Sequence, residues 1–241
     1  MPHGLFHFEG DLSLFLLPPL RGREFERSWS DTDTLMHVIE SIGVPHTEVG
    51  RIEHNGNVIH VYPSACERLD LPRFVLDQHL GRLAAYLRML GFDVLHKVPA
   101  PDPELAAISS REDRVLLTRD VGLLKRKEIR RGYFVRATNP RDQVLQVVKR
   151  FCLVGAIAPF TRCFLCNTPL ERVDKAAIAH TLRERTAERY NEFVRCSTCA
   201  RVYWKGSHYI RMQELIEAIK KDASSDPGQA VQQVDILYPG G

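Results

Sequence analysis

The chain has little that would place it in a membrane. No apolar stretch approaches the ~18–20 uncharged residues of a bilayer-spanning helix. The start, Met1-Pro2-His3-Gly4-Leu5-Phe6-His7-Phe8-Glu9, lacks the basic residues, apolar run and cleavage site of a secretory signal. A cytoplasmic protein with no membrane partner is therefore the expectation. Three signatures of α/β enzymes are missing too: no Gly-x-Gly-x-x-Gly follows the first central strand, and neither Gly-x-x-x-x-Gly-Lys-Ser/Thr nor Gly-x-Ser-x-Gly occurs. Dinucleotide binding, P-loop chemistry and the serine-hydrolase elbow drop out. Cysteine is sparse, with six in 241 residues, and four of them form two Cys-x-x-Cys pairs, a metal-ligand pattern rather than a disulfide framework. Cys66 and Cys152 stand alone and read as small buried apolar residues.

What is present is an average globular composition, 44% apolar and 26% charged, on a chain long enough for two or three small domains. Charge divides it. Residues 1–70 hold 5 Lys/Arg against 11 Asp/Glu, residues 71–158 hold 16 against 9, and residues 159–241 hold 12 against 10. An acidic head precedes a basic middle whose natural partner is a polyanion. The head is expected either to dock through opposite charge near the phosphate-binding rim, where it would compete with RNA and be partly autoinhibitory, or to receive a protein partner.

Within residues 1–70, strands at Leu5–Phe8 and Glu24–Trp29 precede capping residues Ser30-Asp31-Thr32-Asp33 and the amphipathic run Leu35, Val38, Ile39, Ile42. A second strand pair, Val49–Glu53 and Val58–Tyr62, flanks Asn55-Gly56, a strong hairpin signal. Hairpin, helix, hairpin is the order of a ubiquitin-like β-grasp. Residues 73–155 alternate strands (74–77, 94–98, 114–118, 133–138) with helices (80–90, 102–112, 122–131, 140–153). That alternation predicts an α/β domain, a parallel sheet with helices on both faces. Residues 159–220 hold the Cys pairs around a helical stretch at 175–189 and a last helix at 210–220; residues 222–241 read as a flexible tail.

Open parallel sheets bind ligands outside the carboxyl ends of their strands. Asp77 ends the first strand, Asp102 opens the helix after the second, and Asp120 follows the third, whereas Asp93 begins a strand and belongs to the opposite rim. Three carboxylates converging on one rim repel unless a cation sits among them, and an all-oxygen site suits Mg²⁺ or Mn²⁺. Such a metal can activate water against a phosphodiester. The structural alternative is that Asp102 and Asp120 simply cap helices. Glu104 is a reserve ligand, and Asn139 either contributes an amide oxygen or caps the next helix. Arg82, Arg88, Arg119, Lys125 and Arg126 are candidate phosphate contacts, set against the plainer reading of a solvated helix face.

Cys163, Cys166, Cys196 and Cys199 form two knuckles able to complete a tetrahedral Cys₄ Zn²⁺ site, a structural zinc ribbon. Asn167 tolerates the left-handed turn after the first knuckle, and Ala200 fills that place after the second. Around the second lie Arg201, Tyr203, Trp204 and His208, an aromatic and basic mixture able to stack on bases and neutralise phosphates. Tyr203 and Trp204 equally suit the ribbon's own core.

Phe74-Val75-Leu76-Asp77, Leu80-Gly81-Arg82-Leu83-Ala84, Leu87–Asp93, Leu116-Leu117-Thr118-Arg119-Asp120, Pro159–Cys163, Cys196-x-x-Cys199 and Val202-Tyr203-Trp204-x-Gly206-Ser207-His208 resemble the Mut7-C RNase family. The resemblance spans about residues 73–215 and implies a PIN-like nuclease domain followed by a zinc ribbon, with a ubiquitin-like head in front. It implies a metal-dependent ribonuclease acting on RNA such as tRNA or ribosomal RNA, with Asp77, Asp102 and Asp120 at the acidic positions. Gly122 stands where some relatives have Asp. The alternative function is a non-catalytic RNA- or ribosome-binding zinc-ribbon adaptor.

Overall fold

The computed structural model describes residues 1–69 and 72–225. In the head, β1 (His3–Phe8), β2 (Phe25–Ser28), α1 (Leu35–Ile42), β3 (Val49–Asn55) and β4 (Val58–Pro63) follow one another. The sheet order is β2-β1-β4-β3, with β1 and β4 parallel and both hairpins antiparallel, which is a β-grasp-like arrangement. Thr34, rather than the preceding Ser-Asp-Thr-Asp run, caps α1 by accepting from the His37 amide. Gly43 ends the helix at φ +138°, where a side chain would press on the Phe15 carbonyl. The apolar stripe of α1 and the inward residues Phe6, Phe8, Ile59 and Val61 close the head's core.

The central domain runs β5 (Arg73–Leu76), α2 (Gly81–Met89), β6 (Asp93–His96), α3 (Asp102–Glu112), β7 (Val115–Thr118), α4 (Val121–Leu124), β8 (Gly132–Phe134) and α5 (Pro140–Arg150). Its sheet order is β6-β5-β7-β8 and every pairing is parallel. Strand alternation divides the core: Phe74, Leu76, Val115 and Leu117 face a cluster with α2 and α5, while Val75 and Leu116 face α3 and α4. The expected third helix, 122–131, shrinks to four residues. Lys125 leaves it to donate to the Glu40 carbonyl of the head at 2.7 Å, and the chain beyond turns back into β8.

The remaining elements are β9 (Leu170–Val173), α6 (Lys175–Ile178), α7 (Glu184–Arg189), β10 (Phe193–Cys196), β11 (Val202–Trp204) and α8 (Ser207–Ser224). The expected 175–189 helix is broken between Ala179 and Arg183, where a 3₁₀ turn and extended residues intervene. The last helix is longer than expected, and its Met212, Ile216 and Ile219 join the central core beside α5 rather than the ribbon. The expected tail falls from residue 226 onward outside the described residues. Among the described residues no helix is long and apolar enough to cross a membrane.

At the sheet's N-terminal rim, Asp93 accepts from Arg114 at 2.7 Å and from the Asn167 amide at 2.9 Å, with Arg162 nearby at 3.5 Å. Burial alone would raise the Asp93 carboxyl, but the Arg114 and Asn167 hydrogen bonds and the two arginine charges hold it below its ordinary value. Gly91, at φ +98°, ends α2 where the Ala158 carbonyl passes too close for any side chain.

The head lies on the open edge of β8. Its Glu48, 4% exposed, accepts from the Phe134 amide at 2.6 Å and from Arg136 at 2.7 Å. Arg136 also pairs by charge with Asp11 at 2.9 Å, without an aligned hydrogen bond. His46 donates to the Ile129 carbonyl at 2.8 Å, Glu67 pairs with Arg131 at 3.0 Å, and Phe15 meets Phe134 edge-on. A strand edge that would otherwise invite pairing is thereby covered. The linker returns along α5, with Arg150 donating to the Ala65 carbonyl, and this brings Cys66 to Cys152. Instead of two buried apolar thiols, these half-buried cysteines form a disulfide with Cα atoms 5.9 Å apart.

Two outcomes follow for stability. Glu48→Ala removes the acceptor of the Phe134 amide and the buried partner of Arg136, and denaturant unfolding is expected to register a loss of about 3 kcal/mol; a loss under about 0.5 kcal/mol would refute the buried docking pair. Asp93→Asn is expected to cost about 2 kcal/mol at neutral pH, the modest end for a partly exposed pair. Because folding depresses the Asp93 pKa, its stabilisation is present above the unfolded value of ~3.9 and fades as pH falls toward the folded one. Unfolding curves of wild type and variant should therefore converge only below about pH 4; a gap independent of pH down to about 2 would contradict the ion pair.

Candidate active site and cysteine centre

The strands carry their acidic residues to one rim by simple register. Asp77 follows β5, and its amide donates to the Leu117 carbonyl at 3.1 Å, which extends the β5–β7 ladder by one residue. Its carboxylate, 9% exposed, accepts from the Thr118 hydroxyl at 2.9 Å. That hydroxyl in turn accepts from the Asp120 amide at 3.0 Å. Thr118, fully buried, therefore ties Asp77 to Asp120, a role the sequence reading missed. The available signal was a hydroxyl at the last position of an otherwise apolar strand.

Asp120 is the cap of α4: its Oδ1 accepts from the Gly122 and Leu123 amides at 2.6 and 3.2 Å. Asp102 is exposed in the first turn of α3, where Pro101 rather than Asp102 is the cap residue. Glu104, the reserve ligand, pairs with Lys97 at the surface. Asn139 caps α5 by accepting from the Arg141 amide at 2.9 Å. A fourth acid, Asp142, is exposed in the first turn of α5, at the same rim. The strand-end rule would have found it one helical turn further along.

Ion pairing separates two classes of carboxylate in this domain. Asp93, Glu104, Glu112, Asp113 and Glu128 each have an arginine or lysine partner. Asp77, Asp102, Asp120 and Asp142 have none among the described residues.

The basic candidates divide as well. Arg88 is 8% exposed and donates to the Val94, Phe164 and Leu165 carbonyls, so the expected RNA contact is corrected to a structural clamp between α2 and the first knuckle. Burial lowers its pKa, while nearby Cys163, Cys166 and Asp93 work the other way. Arg119 donates from Nη1 to the Val135, Arg136 and Ala137 carbonyls, binding the loop after β8 to the loop after β7. Lys125 is turned to the head, and Arg126 pairs with Glu128 at 3.2 Å. Arg82 is exposed on α2 with no partner among the described residues.

The four knuckle cysteines come together. Asn167 and Ala200 take left-handed φ values of +67° and +58°, turning each Cys-x-x-Cys loop back on itself. Asn167 also accepts from the Val94 amide at 2.8 Å, anchoring the first knuckle to β6. The Cys163 and Cys199 sulfurs are 3.7 Å apart, close to the ~3.8 Å edge of a tetrahedron with ~2.3 Å zinc–sulfur bonds. Among the described residues this is the one group of three or more such ligands lying within 4.8 Å of one another; the rim aspartates are not drawn together to that degree. The site can hold a zinc ion. Burial pushes the Cys163 thiol up, yet bonds from the Tyr203 hydroxyl and the Cys166 and Leu165 amides bring it down to about 6.

Tyr203 thus serves the sulfur site, with its hydroxyl 3.1 Å from Cys163 Sγ, and Trp204 packs near Tyr190 and Phe193. Arg201 is exposed beside them. His208 lies in the first turn of α8, and its side chain is outside the described residues.

Family models match two parts of the chain: residues 72–216 to the Mut7-C RNAse domain, and residues 1–68 to the Mut7-C ubiquitin domain. No curated protein and no solved structure matches. The chain belongs to the Mut7-C RNAse domain family and carries the Mut7-C ubiquitin domain in front of it.

Proposed function

We propose that this protein is a metal-dependent ribonuclease that hydrolyses RNA phosphodiester bonds at the carboxyl rim of its parallel sheet. The observation that carries the reading is the pairing pattern: five acids of the domain have basic partners, whereas Asp77, Asp102, Asp120 and Asp142 share a rim and have none among the described residues. A carboxylate as buried as Asp77, with a single hydroxyl for company, fits a cation site better than a purely structural one. Asp77, Asp102 and Asp120 would hold Mg²⁺ or Mn²⁺, with Asp142 as the fourth acid. A divalent ion there supplies an activated water and offsets phosphodiester charge.

The chain's own residues supply the positioning. Thr118 fixes the Asp77 carboxylate and the Asp120 backbone together, so the two acids keep one spacing. Capping occupies Asp120 Oδ1, and Oδ2 is left for a ligand. Arg119 holds the loop after β8, which leads into α5. The four cysteines would hold a structural Zn²⁺ that braces α2, through Arg88, and β6, through Asn167. The RNA would be a cellular RNA such as tRNA or ribosomal RNA, and the head's exposed surface a place for a protein partner. A second reading, an RNA-binding adaptor without catalysis, draws on the capping role of Asp120 and on the spread of the aspartates.

Cleavage of total RNA separates the two. The purified protein should cut RNA with Mn²⁺ and lose the activity in EDTA, while retaining one equivalent of zinc, because thiolates bind zinc far more tightly than carboxylates bind magnesium. Asp77→Asn and Asp120→Asn should each reduce cleavage at least ~100-fold while remaining folded. Unchanged cleavage by both folded variants would overturn the nuclease assignment.

A further inference from the structure

A cleft of about 520 Å³ lies between α2, the first turn of α5 and the first cysteine knuckle, and it belongs to neither the acidic rim nor the sulfur centre. Arg82, Tyr86, Met89, Asn139, Arg141 and Phe164 are among its lining residues, and none of the lining residues comes from the head. Its volume suits a nucleotide-sized group. Both arginines are exposed. Among the described residues Arg82 has no partner, and Arg141 has Asp222 alone, held through Nη2 at 3.2 Å. Tyr86, Met89 and Phe164 are half-buried, packed on one side against the central core. Phe164 is further held by an edge contact to Tyr203 at 5.1 Å.

Position relates this cleft to the acids. Arg82 is the second residue of α2 and follows Asp77 by a single 3₁₀ turn, and Asn139 opens α5 at the same rim. From there the lining passes down α2 through Tyr86 and Met89 to Phe164 of the knuckle. Cationic groups thus stand at the end nearest the acids and aromatic groups farther away. That order matches a nucleotide, which carries its phosphate at one end and a flat base at the other.

We propose that this cleft seats an unpaired nucleotide adjoining the scissile phosphate of a single-stranded RNA, with its phosphate between Arg82 and Arg141 and its base against Tyr86 and Phe164. The proposal rests on the nuclease reading for its RNA and its scissile phosphate, and extends it with a subsite. Asp222 competes with the incoming phosphate for Arg141 and is displaced from it on binding. Because stacking requires a base free of its partner, the cleft favours single strands over duplexes. It also gives the zinc ribbon a part in recognition, since Phe164 belongs to the cysteine loop.

The test is binding of a fluorescein-labelled single-stranded oligoribonucleotide to the full chain, followed by anisotropy in EDTA over a range of salt. Arg82→Gln with Arg141→Gln should weaken binding about tenfold at low salt and flatten the log–log salt slope by ~0.7, the change expected for one phosphate of a single strand. Tyr86→Leu keeps apolar volume but removes the ring. It should weaken single-strand binding roughly fivefold or more with the salt slope unchanged, and leave duplex binding alone. The paired arginine change is on the surface, so it remains decisive should Tyr86→Leu fold poorly. Wild-type affinity and slope in the double arginine variant would overturn the cleft; should that variant still cut RNA with Mn²⁺, the nuclease reading survives. Weakened binding in the variants, with no cleavage by wild type under any divalent ion, would keep the cleft and remove the nuclease reading.

Discussion

The carboxylate of Asp93 joins three parts of the chain at the sheet's N-terminal rim: β6, which it begins; Arg114, just before β7; and Asn167, in the first cysteine loop. Arg114 also donates to Glu112 and to the Phe74 carbonyl, so the starts of β5, β6 and β7 are held in register by one guanidinium. Asn167 adds the Val94 amide, and Arg88 adds the Val94, Phe164 and Leu165 carbonyls. The cysteine centre is therefore built onto the sheet rather than hung from it. A register fixed at one end determines which residues emerge at the other.

The two rims differ in how their charges are met. At the N-terminal rim charge is matched and partly buried, which is the work of a structural cluster. At the carboxyl rim Asp77 and Asp120 are spaced by Thr118, and no cation of the chain answers them among the described residues. Many of the domain's basic groups are committed elsewhere. Arg136 and Lys125 hold the head, Arg131 reaches both Glu67 and Asp113, and Arg119 holds backbone carbonyls. The charge imbalance between head and middle is thus used for docking at the β8 edge, away from the acids. Arg82 and Arg141 line the cleft beside the rim, which has no lining residue from the head.

Much of this was legible in the residues. Short apolar strands alternating with helices specify the parallel sheet, Asn55-Gly56 specifies the head's second hairpin, and the strand-end rule puts Asp77 and Asp120 on one rim and Asp93 on the other. The misreadings have physical causes. Arg88 follows Ala84 by four residues and so shares the buried stripe of α2, a spacing that outweighs the usual exposure of arginine. Residues 122–131 carry helix-compatible side chains, but α4 ends after Leu124 and the backbone continues in i→i−3 turns through Lys125, Arg126 and Ile129. Cys66 and Cys152 are 86 residues apart, and only the return of the linker along α5 makes them neighbours. Met212, Ile216 and Ile219 have the helical spacing of a buried face, yet which core they enter is decided by the fold.

In the proposed reading, the unpaired aspartates at the carboxyl rim form a cation site distinct from the four-cysteine centre. Crystals of the full chain soaked in Mn²⁺, with anomalous diffraction recorded on either side of the manganese and zinc absorption edges, address it directly. Manganese is expected beside the Asp77 and Asp120 carboxylates, and zinc among Cys163, Cys166, Cys196 and Cys199. Zinc at the cysteines with no manganese at the rim, at concentrations that support RNA cleavage, would contradict it.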